Sequence, residues 1–182
     1  YNIAPSQKIV VIPNGEKRNV ALFQWGLIPP WANDPSIGNR MINARSETVD
    51  TKPAFRAAFR NKRCLILADG FYEWKNHEDV GGKGKKKKAP YYIHRPDKKA
   101  FALAGLWSTW TSPAGEVIHS CTIITGEAAP EIEAIHHRMP IVVESADYDR
   151  WLYGEVIGRE MVEDILSPLA RGGDRIPFEF YP

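Results

Sequence analysis

Glu73 lies in Asp69-Gly70-Phe71-Tyr72-Glu73-Trp74, hemmed by aromatic neighbours along the chain. Crowding of this kind predicts partial burial. Burial disfavours the charged carboxylate and raises its pKa toward the range where a general acid or base works near neutral pH. The competing reading is structural, an ion pair between Glu73 and Arg63 or Arg45. Ile135-His136-His137-Arg138-Met139-Pro140 sets two imidazoles and a guanidinium directly before an apolar run. Neighbouring side chains in an extended segment point to opposite sides, so His136 and His137 are not expected to hold one metal ion together. His77, His94 and His119 show no metal-ligand spacing, and Cys64 and Cys121 lie in apolar runs rather than in a Cys-x-x-Cys. No metal and no other cofactor is expected. One histidine, one glutamate and one asparagine make a workable acid/base set wherever a fold gathers them.

An asparagine of that kind sits in Met41-Ile42-Asn43-Ala44-Arg45-Ser46-Glu47-Thr48. If this segment is extended, Asn43, Arg45 and Glu47 share one side. An amide beside a guanidinium suits a phosphate or a carbonyl, although a polar strand end reads the same way. Trp25-Gly26-Leu27-Ile28-Pro29-Pro30-Trp31 carries Trp31 behind two prolines, which remove backbone donors and stiffen the loop. Trp31 is then either a buried loop anchor or a flat surface on which a nucleobase stacks. No Gly-x-Ser-x-Gly elbow, Walker loop or dinucleotide fingerprint occurs, which removes support for serine-hydrolase and nucleotide-dependent classes.

The elements that must position these groups are mostly strands. Short β-rich runs separated by turn signals cover 8–12, 20–25, 63–68, 71–75, 91–95, 101–107 and 117–125, with a further apolar run at 139–143. Helical patterning is confined to 53–60, entered through Pro53, to 146–153 behind a capping Ser145, and to 159–166. Strands do not alternate with long helices, so the fold class predicted is α+β, built on mainly antiparallel, barrel-like sheets with a few flanking helices.

The chain has 182 residues, 43% of them hydrophobic and 25% charged, which suits one globular domain over 1–182. No run approaches the ~20 apolar residues of a membrane span, and two cysteines fit a reducing compartment, so a cytoplasmic protein is expected. A formal net charge of +2 argues, taken alone, against a polyanion partner. It averages two unlike sections. Residues 1–128 hold 19 basic and 11 acidic side chains, net +8, while 129–182 hold 5 and 11, net −6. Part of the excess is Lys83 with Lys85–Lys88, read as a solvated Gly/Lys hairpin loop or a loose phosphate-contacting arm.

Seven motifs in order carry a resemblance. They are Tyr1-Asn2-Ile3-Ala4-Pro5, Trp25-Gly26-Leu27-Ile28-Pro29, Asn43-Ala44-Arg45-Ser46-Glu47-Thr48, the 63–74 segment ending in Phe71-Tyr72-Glu73-Trp74, Ala104-Gly105-Leu106-Trp107, Thr122-Ile123-Ile124-Thr125, and Ile135-His136-His137-Arg138-Met139-Pro140. Together they resemble the SOS-response-associated peptidase (SRAP) domain family, from Tyr1 to about Pro140 and more weakly to Pro182. The resemblance implies a protein, monomeric as far as anything in the chain demands, that binds single-stranded DNA at an abasic site. It implies a covalent thiazolidine cross-link through an N-terminal cysteine, exposed when the initiator methionine is removed autocatalytically. Asn43 would position nucleophile and sugar. Glu73 would act as general acid/base and in methionine release, and His136 in sugar ring opening and cross-link reversal. Pro5, Trp31, Arg45, Trp74, Thr125 and Arg138 would contact DNA. The family begins Met-Cys-Gly-Arg and this chain begins at Tyr1, so that start and a C-terminal tail are expected to lie outside it. Two other readings stay open, a non-covalent single-strand binder and a peptidase-type hydrolase.

Overall fold

A computed structural model of the protein describes residues 2–15, 18–77, 87–155, 164–165 and 177–182. Among these, five strands close into a barrel: β1 (Lys8–Pro13), β2 (Ala21–Trp25), β4 (Arg63–Ala68), β7 (Phe101–Thr111) and β8 (Val117–Glu127). The order is β7-β4-β1-β2-β8, and β8 returns to β7. Four of the pairings are antiparallel and the β2–β8 pairing is parallel. Three short strands extend this sheet: β3 (Asn43–Arg45) beside β8, β9 (Arg138–Pro140) also beside β8, and β10 (Val142–Val143) beside β7. A second sheet of β5 (Gly70–His77), β6 (Lys87–His94) and β11 (Glu179–Tyr181) lies apart from the barrel ladder. The α+β, mainly antiparallel barrel read from the sequence is the observed architecture.

Strand alternation divides the apolar residues into two layers. Val11, Phe23, Cys64, Ile66, Leu103, Cys121 and Ile123 fill the barrel. Leu65, Ala104, Leu106 and Ile124 face outward, beneath α1 (Arg56–Asn61) and α3 (Tyr148–Tyr153), whose Phe59, Trp151 and Leu152 are buried against them. Gly105 is required inside the barrel. A Cβ there would stand 2.7 Å from Ile66 Cδ1 and 2.9 Å from Cys64 Sγ, closer than packed atoms tolerate. Burial pushes the Cys121 thiol up to about 12 and the Cys64 thiol well above its ordinary value, which leaves both unreactive.

Arg63 is buried among these layers with carbonyls for partners. Its Nη1 donates to Phe59 O (3.1 Å) and Arg60 O (3.0 Å). Nε donates to Trp151 O (2.5 Å) and Nη2 to Gly154 O (2.7 Å). One guanidinium thus satisfies the orphan C-terminal carbonyls of α1 and of α3 together.

Helix starts differ from the sequence reading. Pro53 lies in turns and α1 begins at Arg56. Ser145 opens a 3-10 turn, Ser145–Asp147, in which it makes no capping bond, and α3 follows from Tyr148. The 139–143 run is not one strand, since Ile141 separates β9 from β10 and its N–H donates to Ile124 O (2.9 Å). Lys83–Lys86 and most of 159–166 lie outside the described residues.

Candidate functional site

One end of the barrel gathers the chemistry. The β4 strand runs toward Ala68, bends at Asp69 and continues as β5, which leaves the barrel and carries Glu73. The β1 strand is antiparallel to β4, with Val11 opposite Ile66, so the chain enters β1 at this same end. Phe71 and Ile93 of the small sheet pack into the barrel core, and Phe178 bridges Phe71 and Phe101. Glu73, two residues after Phe71, therefore shares its inward face. Tyr72 and Trp74 lie on the opposite face, 43% and 51% exposed.

The second half of the cluster comes from β3, β8 and β9. The β3 strand runs parallel to β8 with Asn43 opposite Ile123 and Arg45 opposite Thr125. On the other edge of β8, Thr125 faces Pro140 and Glu127 faces Arg138. Ile123 points into the barrel, so Asn43, Arg45 and Thr125 continue that face at its mouth. Ala44 is fully buried and its two neighbours are exposed, so Asn43 and Arg45 do share a side. Glu47 lies beyond the strand in a 3-10 turn, Ser46–Thr48, from which it reaches Arg138.

His136 follows α2 (Pro130–Glu133), and its N–H donates to Ile132 O (3.1 Å), closing the last turn. The chain is bent here rather than extended, and the rings of His136 and His137 lie 4.5 Å apart at 33°. The expectation that they point apart fails for that reason. His136 Nδ1 accepts from the Arg138 N–H (3.1 Å) and lies 3.0 Å from Arg138 O. It stands 4.0 Å from Glu73 Oε2. Glu73 therefore meets His136, and the alternative pairing with Arg63 is excluded because Arg63 is engaged with helix carbonyls.

Burial pushes the Glu73 carboxyl above its ordinary value, while His136 and the N–H of Trp74 pull the other way. A carboxyl raised by burial next to an imidazole is an arrangement able to pass a proton. Arg138 donates to both Glu47 oxygens (2.8 and 3.0 Å) and to Thr125 O (2.7 Å), and this bond holds Glu47 below the usual carboxylate range. Among the described residues no group of three or more His, Cys, Asp and Glu side chains could hold a metal ion.

Around the mouth are flat and extended groups. Pro5 is exposed in the turn that precedes β1, where Ser6 N–H bonds to Trp25 O (2.8 Å). Trp31 is 60% exposed, which decides against a buried anchor. Its loop is fastened by Leu27 N–H to Met41 O (3.1 Å), Ile28 N–H to Ser120 Oγ (2.8 Å) and Trp110 Nε1–H to Ala32 O (2.7 Å). Gly26 starts that loop at φ +128°, with Gly38 O only 2.6 Å from where a Cβ would be. Only glycine fits both conditions.

The description "SOS response associated peptidase (SRAP)" matches residues 1–179. The chain belongs to the SRAP family. It is 41% identical over 169 residues to the abasic site processing protein YoqW of Bacillus subtilis (strain 168), covering 92% of this chain and 73% of that protein. It is 35% identical over 180 residues to the abasic site processing protein HMCES of Xenopus tropicalis, covering 86% of this chain and 51% of that longer relative. A crystal structure of a protein from Bacteroides thetaiotaomicron superposes with a TM-score of 0.81 at 28% identity, over 97% of this chain and 73% of the other. The SRAP fold here supplies what spacing left open: Glu73 and His136, far apart in sequence, face each other. Nothing local in the sequence marks Glu47, Thr125 and Arg138 as one clamp. No described helix is long and apolar enough to cross a membrane.

Proposed function

We propose that this SRAP domain, spanning 1–182, processes abasic sites in single-stranded DNA and shields them as a covalent thiazolidine cross-link. The observation that carries the reading is the 4.0 Å approach of His136 Nδ1 to Glu73 Oε2 at the barrel mouth. Beside it, β1 begins at the same end of the barrel, which supports a role there for a Met-Cys-Gly-Arg start of the family's kind when one is joined ahead of Tyr1. His136 assists opening of the sugar ring to its aldehyde. The N-terminal α-amine condenses with that aldehyde, losing water to give a Schiff base, and the thiol of the same cysteine adds to close the thiazolidine. Glu73 shuttles the protons of these steps and of initiator methionine release, at a pKa raised by burial. Asn43 orients nucleophile and sugar.

Pro5, Trp31 and Trp74 offer surfaces for bases, and Arg45, Thr125 and Arg138 the contacts to the strand. The names of relatives such as YoqW and HMCES support abasic-site processing. The test is the chain preceded by Met-Cys-Gly-Arg, incubated with single-stranded DNA holding one abasic site. An adduct that survives a denaturing gel, with the intact mass of protein plus DNA, is the expected result. No adduct from the protein with that start overturns the cross-linking reading and favours non-covalent binding. Glu73→Gln lowers both methionine removal and adduct rate, and an unchanged rate removes Glu73 from the chemistry.

A further inference from the structure

A guanidinium offers an anion two two-pronged edges, the end formed by Nη1 and Nη2 and the side formed by Nε and one Nη. At Arg138 both are occupied. The end grips Glu47, Nη1 donating to Oε1 at 2.8 Å and Nη2 to Oε2 at 3.0 Å. On the side, Nη2 donates to Thr125 O at 2.7 Å and Nε approaches Thr125 Oγ1 at 3.4 Å. A phosphate can take Arg138 bidentately only by displacing one of these partners. Thr125 is buried and fixed in β8 between β3 and β9. Glu47 is 47% exposed on a three-residue turn, while the Arg138 side chain is only 17% exposed. Glu47 is therefore the partner that can leave. Arg45, by contrast, is exposed; its charge also acts on Glu47, but it is not held in a two-pronged clamp as Arg138 is.

We infer that Glu47 is a resident competitor for the Arg138 fork, a carboxylate held where a phosphate of the DNA strand binds. This deepens the single-strand reading above and rests on it. An intact strand meets one unclamped arginine, Arg45, and gains the second only by expelling Glu47. Residence on undamaged strands is shortened, while the Glu73–His136 chemistry at the lesion is left alone. Glu47 thus sets selectivity without touching the reacting atoms.

The inference predicts that removing an acidic residue of the site improves binding. In Glu47→Gln, a lesion-free oligothymidylate, followed by fluorescence anisotropy, binds about five- to tenfold tighter near physiological salt. The plot of log K against log salt steepens by ~0.7, one further phosphate on a single strand. Glu47→Ala moves the same way, and adding Arg138→Gln to either variant cancels the gain. Unchanged or weaker binding in both Glu47 variants, with melting temperatures near that of the parent, overturns the inference. A second readout needs no DNA: inorganic phosphate titrated against the Arg138 Nε resonance shifts it at lower concentration in Glu47→Gln than in the parent. Equal titrations overturn the inference. Should that shift appear while neither protein binds oligothymidylate, the competitor stands and the single-strand reading falls.

Discussion

Glu73 is a carboxyl whose folded environment works against its charge, and this has a measurable consequence for stability. Burial raises its pKa, so between the ordinary glutamate value and the raised one the native state holds more protons than the unfolded chain. Stability falls as pH rises through that window and stays lower above it. Glu73→Gln carries no such term. Its melting temperature should gain on the parent as pH climbs from about 4 toward neutral, with the two curves converging in acid. Parallel curves would mean that Glu73 is not penalised by burial. Glu47 runs with the opposite sign. Arg138 lowers its pKa, so its contribution is present at neutral pH and is lost as pH falls below the usual glutamate range.

At the scale of elements, the strands create faces and one buried cation fastens the helices to them. The alternation along β5 sends Phe71 and Glu73 to the barrel mouth and Tyr72 and Trp74 to the outside, so a one-residue register slip would turn Glu73 away from His136. Arg63 holds the C-terminal ends of α1 and α3. Replacing Arg63 by Met leaves those carbonyls without their donor and should cost about 3–5 kcal/mol, read by denaturant unfolding. Arg63→Lys should recover little of it, because an ammonium has one centre and three donors where the fork spans two helix ends. A loss below 1 kcal/mol in Arg63→Met would show that the two ends are held by packing alone.

For the whole molecule, the distribution of charge matters more than its total. The +8 of residues 1–128 includes Lys83, Lys85 and Lys86, between the β5 and β6 strands. Changing these three lysines to Gln should weaken single-strand binding evenly across base sequences and flatten the salt slope by ~2, three phosphates at ~0.7 each. Adduct yield at low salt should be retained in the protein carrying the Met-Cys-Gly-Arg start. Loss of yield there would assign these lysines to the chemistry instead.

Residue types and local order alone determined much of this protein. The apolar runs and the turns between them specify strands, and β4 spans the 63–68 run read from the sequence, because period-two patterning and turn chemistry are local properties. The aromatic setting of Glu73 announced its burial for the same reason. Pairings between distant segments are not local. That Glu73 faces His136 rather than Arg63 follows from β5 leaving the barrel where β8 ends and β9 begins. That the His136 and His137 rings lie tilted against each other follows from the bend after α2. Trp31 is exposed because three hydrogen bonds hold its loop to other parts of the chain. The closure of Arg138 by Glu47 and Thr125 joins residues from three segments, and only the tertiary fold brings a carboxylate, a carbonyl and a guanidinium into one hydrogen-bonded cluster.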